Sequence, residues 1–476
     1  MTSAQLLKPD LCVIGAGSGG LSVAAAAASL GVSVVLIEKH QMGGDCLNTG
    51  CVPSKALIAA ARRAHIMRSS APFGIAPHEP AIDPKQVHDH VQGVIAAIAP
   101  MDSVERFTGL GVRVIQAAAR FVDPTTVEAG GIRIKARRFV IATGSMAAVP
   151  PIPGLDTIPF FTTENIFENQ ARLDHLVIIG GGPIGMEMAQ AHRRLGAKVT
   201  VLEADRALSK DDPELTLVAL KILRAEGIDI REGTKVERVD GKPGAIEITI
   251  AMAGNRTSIT CTHVLVATGR RPNITGLGLE AAGVKTGKGA ITVDDGLVTT
   301  NRKVFAIGDV VGDLQFTHMA NYHAGIVIRR ALFRLPAKVK RDQVPWVTFT
   351  EPEIANVGLT EAQAKSRGIT PTIYRWPFHD NDRAQAERET DGLIKVVCGP
   401  NGRILGAGIV GAHAGELIQI WSLAISLRLK IGAMTGWIAP YPTFGEISKR
   451  AAVTSLAAKA KDGRVRGLLA VLRSLG

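Results

Sequence analysis

One pattern occurs twice in this chain, and few folds can hold it. Leu11-Cys12-Val13-Ile14 runs into Gly15-Ala16-Gly17-Ser18-Gly19-Gly20, followed by a predicted helix over 21–30 and a strand over 32–37 that ends at Glu38. Much later Leu176-Val177-Ile178-Ile179 runs into Gly180-Gly181-Gly182-Pro183-Ile184-Gly185, followed by a predicted helix over 186–195 and a strand over 198–202 that ends at Glu203. A lone glycine triplet is a weak signal, because it also serves as a plain structural turn. Here strand, glycine turn, helix, strand and acidic residue all stand in order, twice. Gly15 and Gly180 permit the tight turn. Gly17 and Gly182 let the backbone approach a pyrophosphate, and Gly20 and Gly185 let helix and strand pack closely. The phosphates then meet the free N–H groups at a helix N-terminus. Glu38 and Glu203 are placed to accept from ribose hydroxyls. Two copies imply two dinucleotides, a flavin in the first and a nicotinamide in the second. Glu203 favours NADH, since a carboxylate repels a 2′-phosphate, with Arg206 nearby as a counterweight.

The length of 476 residues suits about three domains. Aromatic residues are scarce at 4%, while 51 glycines suit an α/β chain with many strand-to-helix turns. The linker Pro150-Pro151-Ile152-Pro153-Gly154 separates the two copies. Val140-Ile141-Ala142-Thr143-Gly144 and Val264-Leu265-Val266-Ala267-Thr268-Gly269 are further strands entering glycine turns, and Val304-Phe305-Ala306-Ile307 ends in Gly308-Asp309. Beyond about residue 345 the pattern changes to strands at 347–349, 393–398 and 404–410 of a mixed sheet, with helices near 414–429 and 445–459. The expected division is therefore 1–150, 151–283, 284–345, 346–452 and a basic tail over 453–476.

The net charge of +12 is scattered, and no recognition motif accompanies it, so nucleic-acid binding is not expected. Met1 to Pro9 lacks a charged start and an apolar run, and no apolar stretch is long enough to span a bilayer. A cytoplasmic location is the expectation. Five cysteines are too few for a secreted disulfide framework, and Cys12, Cys261 and Cys398 read as buried small hydrophobes.

Only Cys46 and Cys51, in Cys46-Leu47-Asn48-Thr49-Gly50-Cys51-Val52-Pro53-Ser54-Lys55, are spaced for joint chemistry. Pro53 suits the first turn of a helix, which puts Cys51 at a helix N-terminus, where the dipole stabilises a thiolate. Gly50 lets the backbone approach a flat ring. The spacing is compatible with a disulfide across a distorted first turn, and no second pair exists for a zinc site.

Together these residues resemble the pyridine nucleotide–disulfide oxidoreductases, the family of dihydrolipoamide dehydrogenase, glutathione reductase and mercuric reductase. The resemblance includes Gly43-Gly44-Asp45-Cys46, Thr268-Gly269-Arg270-Arg271-Pro272-Asn273, Gly308-Asp309 and Thr350-Glu351-Pro352-Glu353, and spans nearly the whole chain. It implies an α/β fold with two Rossmann-like dinucleotide-binding domains, for FAD and NAD(P), and a C-terminal α+β dimerisation domain. It implies that Asp309 holds the ribityl chain of FAD and that the backbone at His318 touches the flavin. Thr143, Gly144 and Gly269 fall on cofactor-binding turns. Lys55 would lie by the flavin and pair with Glu187. Cys51 would be the thiol against the flavin and Cys46 the exchange thiol facing substrate. The partner subunit of a homodimer would complete the active site.

The chain departs from its lipoamide- and glutathione-reducing relatives near the C-terminus, at Ala439-Pro440-Tyr441-Pro442-Thr443-Phe444-Gly445-Glu446. Those enzymes carry a His-Pro motif there with a Glu five residues after the His, and the imidazole is the general base. Tyr441 takes the His position and Glu446 remains. A phenol, with a pKa of about 10, replaces an imidazole poorly as a base. Mercuric reductases resemble this chain in having Tyr then Glu, since a soft metal needs thiolates and not a proton shuttle. They also end in a cysteine pair, whereas no cysteine follows Cys398. The expected acceptor is thus a small molecule or metal ion reached from NAD(P)H through FAD and the thiols, as in mercuric reductase. Alternatives are a lipoamide dehydrogenase-like activity, an NADH oxidase or quinone reductase with a vestigial disulfide, and a membrane-associated redox sensor. No resident metal is expected. His88 and His90 read as solvated helix residues and His413 as a turn former. In the tail, Val465, Leu468, Leu469 and Leu472 share one helical face, to pack on the dimer or, as the second expectation, on a membrane surface.

Overall fold

The computed structural model describes residues 5–460 and 463–475, which fall into two compact units. One draws on residues within 1–181, 188–204 and 231–339, the other on 182–187, 205–230 and 340–476.

The first unit is built around the two glycine-turn repeats. Leu11–Ile14, a four-residue strand, is wholly buried and lies between parallel strands Val34–Glu38 and Arg138–Ile141. Val304–Ala306 and Arg113–Gln116 close the two edges of this five-stranded parallel sheet. Buried on both faces, such strands read as unbroken apolar runs. The helix Ser18–Ser29 follows the first turn. The second copy places His175–Ile179 between parallel strands Lys198–Leu202 and His263–Val266. Both turns work the same way. Gly15 and Gly180 have φ of +104° and +112°, and a Cβ on either would strike the carbonyl of Ala142 or Ala267, the residue just past the neighbouring strand. No L side chain fits there. A three-stranded antiparallel sheet, Thr234–Lys242, Ala245–Met252 and Asn255–Cys261, covers part of the second parallel sheet with Val239, Ile246, Ile248 and Ile250.

The second unit is centred on a five-stranded sheet in the order Pro345–Thr348, Glu353–Gly358, Ile404–Gly411, Leu393–Cys398, Thr372–Pro377. Every pairing is antiparallel, not mixed as the sequence suggested. For two of the pairs the links, 349–352 and 399–403, are too short for the crossover of a dozen residues or more that parallel neighbours need. The helices Ala414–Ser426 and Glu446–Ala460 supply Trp421, Ile418 and Ile447 to a core shared with Phe378, Ile394 and Ile409. His413 caps the first of these helices with φ +59°, its ring 5.2 Å from that of Phe444.

His88 is not solvated as expected. Its side chain is 10% exposed, and it lines a cavity of about 280 Å³ with Val87, Val91 and His192. Helical spacing accounts for this, since Pro84, Val87, His88 and Val91 recur at i, i+3, i+4 and i+7 and share the face that lines the cavity. The exposed His90 places Nε2 3.2 Å from the Ala56 carbonyl. The tail forms a helix, Gly463–Ser474, on which Val465, Leu468, Leu469 and Leu472 are all exposed.

Candidate functional site

The segment bearing the thiols is docked on the first glycine turn. The Gly43 N–H donates to Ala16 O at 2.9 Å, and Gly17 and Gly43 form an isolated parallel bridge. Gly44 then sits against Gly17 so closely that a Cβ on it would lie 2.7 Å from the Gly17 Cα. Cys46 falls in the short helix Gly44–Asn48, and Cys51 is the first residue of the helix Cys51–Arg68. The sequence placed that helix start correctly from Pro53.

Both cysteines are thiols in this structure, the reduced form of the pair. The Cys46 S–H donates to Cys51, and the two titrate in opposite directions. Cys51 is lowered to about 6, chiefly by that hydrogen bond, then by Thr317, whose hydroxyl lies 3.3 Å from Sγ, and by the charge of Lys55. Burial and the Asp45 carboxylate oppose the shift. Cys46 is pushed up by its bond to Cys51 and by burial. The helix N-terminus adds its own preference for an anion at Cys51. One sulfur is thus a thiolate near neutrality while its neighbour keeps the proton.

The other predicted residues divide between the two units. Glu38 accepts from Ala16 N–H at 2.6 Å and His40 N–H at 2.8 Å. Glu203 accepts from Gly181 N–H at 2.7 Å. Each acid is therefore held against its own glycine turn. Thr143 Oγ1 donates to the Asn273 carbonyl at 2.8 Å, and the side-chain amide of Asn273 returns a bond to the Thr143 carbonyl at 3.0 Å. Asp309 opens a short helical turn, Gly308–Val311, and accepts from Ser145 Oγ at 2.6 Å. Burial raises its carboxyl above the usual range, against the pull of Ser145 and Arg270. The His318 ring stacks on Phe316, centroids 5.2 Å apart. In the other unit, buried Glu187 accepts from the Phe349 N–H at 3.0 Å.

Tyr441 and Glu446 are each committed elsewhere. The Tyr441 hydroxyl donates to Asp382 Oδ2 at 2.8 Å, and that bond raises the phenol above its ordinary value. Glu446 is bound by Arg450 one helical turn on, at 2.8 and 3.0 Å. With its O–H held by a carboxylate and its proton harder to remove, the phenol cannot act as a base near neutrality.

Sequence reasoning missed Thr317, His323 and Arg270. Thr317 adjoins His318, which drew attention for its imidazole. Buried His323 receives the Gly308 N–H at 3.1 Å and so steadies the turn that carries Asp309. Its position five residues after His318 was the available signal. Arg270 lay inside a quoted motif, but no local pattern says what it meets.

The residues around the first turn suit FAD. The glycine cradle leaves open backbone at Gly144, where a Cβ would meet nothing within 4 Å, and it ends in a held acid at Glu38 and a buried acid at Asp309. A parallel sheet, a glycine turn against a thiol pair, and a second turn of the same build define a flavin-linked dithiol oxidoreductase. The comparisons agree with that class. Residues 9–324 match the family model "Pyridine nucleotide-disulphide oxidoreductase", and residues 344–452 match that family's dimerisation domain. The chain belongs to this family. A mercuric reductase of Bacillus cereus is 36% identical over 448 residues, covering 94% of this chain and 71% of that protein. A dihydrolipoyl dehydrogenase of Geobacillus stearothermophilus is 36% identical over 465 residues, covering 94% and 97%. Among solved structures, the copper(II) complex of the HOCl-induced flavoprotein disulfide reductase RclA from Escherichia coli matches with a TM-score of 0.84 at 27% identity, covering 94% of this chain and 99% of that one. The protein is an FAD-dependent enzyme that works with NAD(P)H and a redox-active disulfide. No helix among the described residues is long and apolar enough to cross a membrane.

Proposed function

We propose that the enzyme passes electrons from NADH to a thiol-reactive acceptor, a soft metal ion before an organic disulfide, through Cys51 and Cys46. The observation that carries this reading is the setting of Cys51, first residue of the helix Cys51–Arg68 with the Thr317 hydroxyl 3.3 Å from its Sγ, which favours a thiolate there, with no imidazole at the Tyr441 position.

The glycine turn at 15–20, Glu38 and Asp309 would hold FAD, with Lys55 beside it. Gly180, Gly182, Gly185 and Glu203 would hold the nicotinamide cofactor, Glu203 discriminating against a 2′-phosphate. When bound, FAD supplies the two-electron relay between nicotinamide and sulfur. Cys51 remains the low-pKa sulfur, held by the helix N-terminus and Thr317. Cys46 faces the acceptor. As the Cys51 thiolate and the Cys46 thiol close to a disulfide they release two electrons and one proton; the acceptor takes the electrons, and for a divalent metal ion the proton passes to solvent. Thiolates bind soft metal ions directly, so no proton shuttle is needed at the Tyr441 position. The match of residues 344–452 to a dimerisation domain supports a homodimer in which Tyr441 and Glu446 face the partner's thiols. The default cellular setting for this chemistry is the cytoplasm, where thiols stay reduced.

The dihydrolipoyl dehydrogenase relative at equal identity supports the second reading, lipoamide-type disulfide reduction without its usual base. The test is anaerobic NADH oxidation by the yellow protein, with mercuric ion, copper(II), lipoamide and glutathione disulfide compared side by side. A metal ion should be the fastest acceptor, and Cys51→Ser should abolish its turnover. Faster turnover of either organic disulfide would overturn the acceptor, and full NADH-driven turnover in Cys51→Ser would remove the dithiol from the path.

A further inference from the structure

Arg270 stands where three segments far apart in sequence meet. Its strand, Arg270–Pro272, pairs antiparallel with Ser145–Ala147. Its Nε donates to Ser145 Oγ at 2.8 Å and its Nη2 to the Ser145 carbonyl at 3.0 Å. Nη2 also lies 3.1 Å from Asp45 Oδ2, and Nε lies 3.7 Å from Asp309 Oδ2. The side chain is only 12% exposed. A planar guanidinium is suited to such a post because its donors diverge in fixed directions, which an ammonium cannot copy.

Asp45 is the unusual member. It immediately precedes Cys46, and its other oxygen accepts from the Thr49 hydroxyl at 2.9 Å, inside the loop between the thiols. A carboxylate there works against any thiolate in the pair, and its charge raises both cysteines. The arrangement therefore places an anion beside a site that must form an anion. Arg270 is the cation bonded to it.

We propose that Arg270 is a positioning residue for the dithiol: it neutralises Asp45 and ties the Cys46 helix to the Ser145–Asp309 pair. The inference rests on the dithiol reading above, but it concerns the thiols before any acceptor is met. One guanidinium shared by two carboxylates fixes the distance between the sulfur-bearing loop and the turn that carries Asp309. With Arg270 removed, Asp45 would face Cys51 uncompensated, and less of Cys51 would be thiolate.

The experiment is a double-mutant cycle on the holoenzyme, with Arg270→Met, Asp45→Asn and both together. Each protein is reduced with dithiothreitol without oxygen and pulsed with iodoacetamide at about pH 6, and labelling of Cys51 is followed by mass spectrometry. Arg270→Met should slow Cys51 labelling about fivefold, the effect of about one unit from an uncompensated carboxylate. The added Asp45→Asn change should return the rate to within about twofold of the parent, the signature of coupled sites. Arg270→Lys should recover part of the loss. A purely structural role would leave the double variant as slow as Arg270→Met, and that result overturns the proposal, as does an unchanged rate in Arg270→Met. If Arg270→Met does not fold, Asp45→Asn alone decides: labelling at or above the parent rate supports the proposal, and slower labelling overturns it. No acceptor enters the assay, so a wrong acceptor would leave these outcomes intact.

Discussion

Thr317→Val tests how the Cys51 thiolate is held. The substitution keeps the shape of the side chain and removes the hydroxyl 3.3 Å from Cys51 Sγ. A hydrogen bond to a charged group is worth about 1.5 kcal/mol at the low end of its range, which is about one pKa unit. Cys51 would then rise from about 6 towards about 7. The thiolate is the form present above the pKa and is lost as pH falls through it. At about pH 6, the thiolate fraction should drop from about one half to about one tenth, slowing iodoacetamide labelling about fivefold. At about pH 8 both proteins are almost wholly thiolate, and the rates should converge. Labelling of the dithiothreitol-reduced enzyme, followed across this range by mass spectrometry, reads both limits. Equal rates at the acid end would refute the role of the hydroxyl. A loss that persisted undiminished at the alkaline end would assign the effect to altered access, not to the thiolate.

Lys395 tests the second unit: its ammonium, 6% exposed, lies 2.8 Å from Asp212 and 2.9 Å from both Glu214 and Glu361. Lys395→Met removes the cation from buried Asp212, while Arg375 still pairs with Glu214 and Lys365 with Glu361, and urea unfolding should show a loss of about 3 kcal/mol; under about 1 kcal/mol would mean those two cations compensate. Tyr441→His should raise NADH-dependent turnover of lipoamide or glutathione disulfide by about tenfold or more, unless Arg450 keeps Glu446 from supporting the new imidazole; adding Arg450→Met distinguishes that case, and no gain in either variant would contradict the account of the missing base. Trp421, fully buried with its Nε1 donating to Ser448 at 3.0 Å, should lose about 3–5 kcal/mol of unfolding free energy on change to Ala, measured by denaturant melt.

Much of the frame was legible because its determinants are local. Glycines that must turn at φ near +104° and +112°, apolar strands buried on both faces, and a proline early in a helix all act over a few residues. The strands Glu353–Gly358 and Thr372–Pro377 were not legible. Four consecutive buried residues in the first, and partly buried residues through most of the second, leave no alternation to read. The antiparallel sense of that sheet follows from connections that only the paired strands reveal.

The site divides in the same way. The chain by itself determined that two dinucleotide turns and one thiol pair exist, and that Cys51 begins a helix, because backbone sterics and the helix dipole depend on neighbours in sequence. Tertiary structure decided what else holds that anion, since Thr317 reaches the Cys51 sulfur from 266 positions away. It also decided that Arg270 answers Asp45, and that Tyr441 and Glu446 turn to Asp382 and Arg450. Hydrogen-bond partners and the dielectric around a charge are properties of what packs against a residue, and packing is fixed only when distant segments meet.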